Sequence, residues 1–419
     1  MTTQFKKFFS FYLIFLFVFS VIFLIKKHDV GNDSTISEWI INYAGGFTKR
    51  GIIGELSILI TNVFNLNLRD AILSLQILII GFYFILLFQL IKKIQINQIL
   101  IFSIFSPIFI LYPVAEVEVL ARKEVFIFCI YLIYILTNSF FLRNIYKILL
   151  LSLAVLIWEP VIFYFIFFLA IDIIDNKWEK INKDFLLNLI YFIPALLIAT
   201  YIALNPITAE NHAILENFLE KNFNETCYMS CGLLKSKASI YSQFEANLDK
   251  YSFVVFLRYF LIILFGFGPL IILSKNSFFV SQNILFFKLF QNLFLPISIM
   301  LIPVIILFAM GYDWGRWVNI SYVFSITFYL YIYQSKKIIL KKDILDQNFL
   351  SIFKNKKIFI ITFIFFCFGW NPKTVMTGDI ATNPLWKIPY NASKYVFNFQ
   401  SFRILQDSPF IKWHEKFIE

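Results

Sequence analysis

The sequence predicts an all-α, polytopic bundle of transmembrane helices, and three observations carry that expectation. Of 419 residues, 59% are hydrophobic and 20% aromatic, and the mean hydropathy is +0.75, well above ordinary soluble usage. Apolar runs of near-spanning length recur along the chain between short polar connections. The net charge of +11 is spread in small clusters at those connections, as orientation signals are, and forms no basic face for nucleic acid. The 55 phenylalanines accompany abundant Ile, Lys and Asn, which reads as compositional bias at apolar positions and carries no function.

Taken in order, runs at 8–25, 71–91, 98–112, 124–142, 147–158, 161–174, 185–204, 251–273, 290–310, 318–334 and 357–370 predict about eleven spans. The first is Phe-rich with no small-residue cleavage site after it, so it is expected to be an anchor and not a leader. The fifth and sixth are short and separated by Trp158-Glu159-Pro160, where proline ends or kinks a helix, so a re-entrant hairpin is an alternative there. Lys and Arg are densest in the connections carrying Lys92, Lys93, Arg143, Lys147, Lys177 and the 336–357 run. That bias predicts an N-in, C-out orientation. Residues 1–370 are then one membrane domain and 371–419 a short non-cytosolic tail. The same topology puts the segments 26–54, 113–124, 205–250 and 311–317, with Glu159, on the non-cytosolic face.

Those segments hold the chemistry. From His28 to Gly54 the chain is polar and Gly-rich, with Asp29 and Asp33 first and an amphipathic run of Ile36, Trp39, Ile40 and Tyr43 next. It closes on Gly45-Gly46-Phe47-Thr48-Lys49-Arg50-Gly51, where a flexible backbone carries two adjacent cations suited to phosphate oxygens. Asp29 or Asp33 could deprotonate a hydroxyl, as partial burial raises a carboxyl pKa; the ordinary reading is a helix cap or solvated loop. Glu116, Glu118, Arg122, Lys123 and Glu124 put five charges into nine residues beside a span, which is costly without partners or water. In Asp313-Trp314-Gly315-Arg316-Trp317 an Asp and an Arg can pair or bind polar ligand groups, and the two Trp suit sugar stacking or an interface belt.

Cys227 and Cys231, four apart in a polar outer loop, are expected to pair, whereas Cys129 and Cys367 fall within apolar runs. A transition-metal site is not expected: His28, His212 and His414 lie far apart in sequence, and neither an HExxH nor a Cys-x2-Cys pattern occurs. Carboxylate-bound Mg²⁺ or Mn²⁺ stays open. No phosphate loop or nucleophile elbow occurs.

An acidic residue in the first outer loop, an amphipathic stretch after it, a second acidic cluster in the next outer loop and a polar outer tail together resemble the GT-C superfamily of polyprenyl-phosphate-dependent glycosyltransferases. The Gly-Gly-Phe-Thr-Lys-Arg-Gly and Asp-Trp-Gly-Arg-Trp motifs look like those of membrane proteins from bacterial surface-polysaccharide clusters. The resemblance covers the topology of most of the chain. It implies a polyprenyl-phosphate-linked sugar as partner and the bacterial cytoplasmic membrane as location. Asp29 or Asp33 would be the catalytic base, with Glu116 a further catalytic carboxylate, Lys49, Arg50, Arg122, Lys123 and Arg316 would hold the carrier phosphate, and Asp313, Trp314 and Trp317 would contact substrate. The chain departs from the family in having no tight Asp-Asp or Asp-Glu dipeptide and in its short tail. The function expected is a glycosyltransferase or repeat-unit polymerase. The alternative is a transporter or flippase of lipid-linked saccharide, for which Asp172 and Arg258 are the intramembrane candidates.

Overall fold

The computed structural model describes residues 3–29, 35–120, 122–236, 240–281, 283–341, 344 and 350–377. Among these, five helices are long and apolar enough to cross a membrane: Gln4–His28, Leu68–Ile91, Phe140–Ile157, Lys183–Leu204 and Phe253–Lys275. Three more apolar helices are shorter, Ile52–Phe64, Glu124–Leu136 and Phe294–Met310. A chain with this many apolar spans is integral to a membrane. Beyond the helices the described residues contain one small antiparallel ribbon, Ser277–Phe279 paired with Ile338–Leu340.

The Trp314–Gln334 helix runs through the middle, with every residue from Trp314 to Ile332 buried. A helix buried on all faces has nowhere to hide polar groups, so each needs a partner. Asn319 Nδ2 donates to Ile108 O at 2.8 Å, Tyr322 OH to Ser103 O at 2.8 Å, and Ser325 to Ser321 O at 2.7 Å. Aromatic contacts fill the space around it; Phe324 stacks on Tyr164 with centroids 4.4 Å apart. We refer to it as the central helix.

Several expected spans differ in a way that residue chemistry explains. The 98–112 run is a helix only over Gln98–Ile104, and a turn follows before Leu111–Ala115, because Pro107 supplies no N–H to continue the ladder. The 290–310 run is interrupted by a 3-10 turn at Ile302–Val304, beside Pro303. Ile52–Phe64 went unseen because Gly54, Glu55, Ser57 and Thr61 interrupt its apolar face. The expected 205–250 loop is largely helical, over Ala209–Phe223, Met229–Ser236 and Ile240–Leu248. At Trp158-Glu159-Pro160 the chain breaks as the proline requires, into a 3-10 turn, Glu159–Tyr164, ahead of Phe165–Asp175.

Arg143 and Lys147, read as members of a connection, lie inside the Phe140–Ile157 helix and are buried. Arg143 Nη1 meets Asp175 Oδ2 at 2.5 Å and its Nη2 donates to Tyr331 OH at 2.9 Å. Lys147 Nζ meets Asp172 Oδ2 at 2.6 Å, and Asn188 Nδ2 donates to the same oxygen at 2.9 Å. Four helices are pinned together by this network. Asp172 is therefore neutralised from within the bundle.

Candidate functional site

At the other end of the central helix a second charged network converges. Arg316 and Tyr331 touch the two networks fifteen residues apart, about 22 Å along a helix at 1.5 Å per residue. The hub is Glu38. Ile36, Trp39, Ile40 and Ile41 are all within 1% of full burial, and burying that run drags Glu38 inward with them, leaving it 2% exposed. Burial alone would push its carboxyl pKa up, but Arg122, Arg316, Arg50 and Lys123 outweigh that and hold it well below the carboxylate range. Its Oε1 accepts from Arg122 Nη1 at 2.8 Å and from Arg50 Nη1 at 3.3 Å, with Arg316 Nη2 at 3.5 Å.

Arg316, in the first turn of the central helix, also donates from Nε to Glu124 Oε1 at 2.9 Å and from Nη1 to Asp313 Oδ2 at 2.6 Å. Arg50 grips Glu159 in a fork, Nε to Oε2 at 2.8 Å and Nη2 to Oε1 at 2.9 Å, the geometry that makes arginine the strongest carboxylate partner. Burial would raise the Glu159 carboxyl, and Arg50 with Lys49 brings it below its usual value. Lys123 Nζ, fully buried, donates to Arg50 O at 2.6 Å; burial pushes this amine down to about 7. In all, Lys49, Arg50, Arg122, Lys123 and Arg316 face Glu38, Glu124, Glu159 and Asp313, five cations against four carboxylates.

The glycines serve packing more than anion contact. A Cβ on Gly45 would stand 1.9 Å from Asn211 O, and Gly46 has φ of +95°. Arg50 itself is left-handed at φ of 64°, a conformation costing roughly 1–2 kcal/mol for a residue with a Cβ. Its guanidinium contacts hold it there.

Beside the network lies a cavity of about 430 Å³. Its apolar lining includes Ala199, Ile202 and Ala203 of the Lys183–Leu204 helix and Ile306 and Leu307 of Phe294–Met310. Thr48, Lys49, Arg50, Glu159 and Trp317 line it too. Thr48 Oγ1 and Trp317 Nε1 are buried and have no hydrogen-bond partner among the described residues. Lys49 keeps only a 3.9 Å contact to Glu159 Oε1, and burial lowers its amine pKa.

The sequence candidates therefore separate. Lys49, Arg50 and Trp317 line the cavity; Arg122, Lys123, Arg316 and Asp313 belong to the network joined to Arg50 through Glu38 and its partners. Trp314 is packed away, its Nε1 donating to Phe308 O at 2.7 Å and its ring against Tyr259 at 5.1 Å. Glu116 accepts from Asn371 at 3.0 Å and from Lys373 at 3.2 Å, holding the 371–374 segment. Asp29 ends the first helix, but its side chain, and Asp33 entirely, lie outside the described residues. So does the side chain of Glu118, and most of the 371–419 tail.

Glu38 was missed. A lone acid within an amphipathic run reads as its solvent face; the signal lay in the apolar residues on both sides of it, too many for one face to be wet. Cys227 and Cys231 are joined in a disulfide, and His212, distant in sequence, lies beside them. As for Mg²⁺ or Mn²⁺, the four network carboxylates each face a guanidinium, so a hard cation would compete with arginine there; the donor set does not fit one. Comparisons of the chain with known protein families, with curated proteins and with solved structures return no significant match.

Proposed function

We propose that the chain is a membrane glycosyltransferase, or a polymerase of lipid-linked repeats, using a polyprenyl-phosphate-linked sugar. The observation that carries this reading is the 430 Å³ cavity, whose lining combines apolar side chains of two helices with Lys49, Arg50 and Glu159. An amphiphile with an anionic head matches both surfaces. Thr48 and Trp317 add two unsatisfied donors beside Lys49.

In the reaction, an acceptor hydroxyl attacks the anomeric carbon and the bond from that carbon to the phosphate oxygen breaks. The departing phosphate takes its negative charge to Lys49 and Arg50, whose fixed placement stabilises it more than water could. A carboxylate takes the hydroxyl proton. Glu159 is the carboxylate in the cavity lining among the described residues and would have to leave the Arg50 fork to accept it; Asp29 and Asp33 are the other candidates. We attach to this reading the N-in, C-out orientation, which puts the cavity's charged end on the non-cytosolic face of a bacterial cytoplasmic membrane. A reporter fused after Glu419 should then behave as non-cytosolic.

The test is accumulation of unextended lipid-linked sugar in cells carrying Glu159→Gln, Asp29→Asn, Asp33→Asn or Glu116→Gln at matched protein levels, with Lys336→Ala as control. At least one of the first three is expected to stop elongation. If all four elongate glycan at the parental rate, the transferase reading is wrong and movement of lipid-linked saccharide becomes the better one.

A further inference from the structure

His212, Cys227 and Cys231 form a compact cluster, with a ring nitrogen of the histidine and the two Sγ atoms all within 4.8 Å of one another. His212 is 4% exposed and Cys231 is fully buried. The histidine Nε2 lies 3.3 Å from Cys227 Sγ and 3.2 Å from Cys231 O. A disulfide explains the two cysteines but not the histidine aimed at them. It is also a weak staple, since it closes a loop of sequence separation 4 and the chain-entropy gain grows with loop length.

Zinc supplies a reason for all three residues. Zn–S bonds of about 2.3 Å and a Zn–N bond of about 2.0 Å, at a tetrahedral angle, put the nitrogen about 3.5 Å from each sulfur and the sulfurs about 3.8 Å apart. The histidine is already at its distance from Cys227. The sulfurs need to part by side-chain rotation, and Cα atoms 5.2 Å apart permit it. Soft thiolates with an imidazole select a thiophilic divalent cation over a hard one.

We propose that the dithiol form of this cluster binds one Zn²⁺-class cation through His212 Nε2, Cys227 Sγ and Cys231 Sγ, with the fourth position left to water. A dithiol reductant supplies two electrons and two protons; the Cys227–Cys231 bond breaks, two thiols form, and the reductant closes to its own disulfide. The cation then displaces both thiol protons to solvent and takes the Nε2 lone pair, so the contact to Cys231 O gives way.

Either chemical form fastens the same place. Ser230, next to Cys231, accepts from Arg122 Nη1 at 2.8 Å, and Leu234 lines the cavity. The clasp therefore holds the 205–250 segment against the charged network whether it is oxidised or metal-loaded. The inference does not depend on what the cavity binds.

The experiment uses full-length protein in detergent, with Co²⁺ as probe, after phosphine reduction and without it. Expected after reduction are one Co²⁺ per chain and a thiolate-to-cobalt charge-transfer band, absent from the unreduced protein. Zn²⁺ should bleach the band. Cys231→Ser should abolish it, and His212→Ala should weaken cobalt affinity by at least about tenfold, as loss of even an outer-shell partner does. Cys129→Ala with Cys367→Ala should leave the band intact. The reduced and unreduced wild-type chains carry the test even if a cluster variant fails to fold. No band in the reduced chain, the same band in both forms, or an unchanged His212→Ala overturns the proposal.

Discussion

Two buried charged networks sit at opposite ends of the central helix, and they are built from different parts of the chain. The Arg143–Lys147–Asp172–Asp175 network is assembled from positions inside regular helices, with Asn188 and Tyr331 as neutral partners, and none of its members lines the cavities described among these residues. The Glu38 network is assembled from turns and helix ends, contains the left-handed Arg50, and turns Lys49, Arg50 and Glu159 toward a cavity. Helices can supply a rigid fastening, whereas loops on a rigid scaffold can aim a charge at a ligand. Buried charge alone does not mark a site; buried charge that borders space does.

The largest effect expected is on Glu38. Glu38→Ala strands Arg122, Arg50 and Arg316 around an empty position, and removing one member of a buried ion cluster costs about 3–5 kcal/mol. Thermal unfolding of the purified protein should show that loss, with activity falling alongside.

Replacing one pair in each network separates the two ends more sharply. Lys147→Met with Asp172→Leu and Asn188→Leu removes the inner pair and its neutral partner and leaves Arg143 with Asp175 and Tyr331, and apolar replacement of a buried ion pair is near neutral or stabilising by about 1–4 kcal/mol. Transfer should survive it. Arg50→Met with Glu159→Leu also takes a partner from Glu38 and releases the left-handed backbone at position 50, so it should lose both stability and transfer. Transfer lost in the first set, or kept in the second, would collapse the distinction drawn between the networks.

Lys49→Ala should change stability little, because its ion pair among the described residues is 3.9 Å long. If the cation meets a desolvated phosphate, transfer should drop by about 10²-fold, the scale for one preorganised charge-stabilising donor.

The remaining expected effect is on pH dependence. Lys123 has an ordinary value of 10.5 and is pushed down to about 7 by burial. The unfolded chain therefore binds a proton between those values that the folded chain does not, so stability should rise with pH across that window and be flat in this respect below it. Lys123→Met should flatten the rise. An unaltered pH profile of thermal unfolding in that variant would place the titration elsewhere.

How much of this was legible follows the range of the interactions. The runs at 8–25, 71–91 and 185–204 fall within long helices and 251–273 overlaps one from Phe253 onward, because uninterrupted apolar length is a local property. The break at Pro160 was local too. Arg143 and Lys147 were misplaced since a cation near a span reads as a connection unless its partner, here Asp175 or Asp172, is known to wait inside. The Asp313–Trp317 motif looked like a loop, yet Trp314 begins the central helix, for its Arg316 is neutralised by Glu124, 192 residues distant. Glu38 and His212 share that difficulty. Their meaning depends on neighbours that only folding supplies.

The contact at Gly45 gives position 45 a use as a gauge. With Asn211 O only 1.9 Å from where a Cβ would stand, the 205–250 segment rests directly on the backbone there, and even a methyl group would act as a wedge. If the working protein keeps that contact throughout turnover, the position tolerates no side chain at all. If the segment lifts each time substrate passes, small wedges would hold it ajar and speed exchange while larger ones jam its return, and a graded series at this one residue would measure how far it travels.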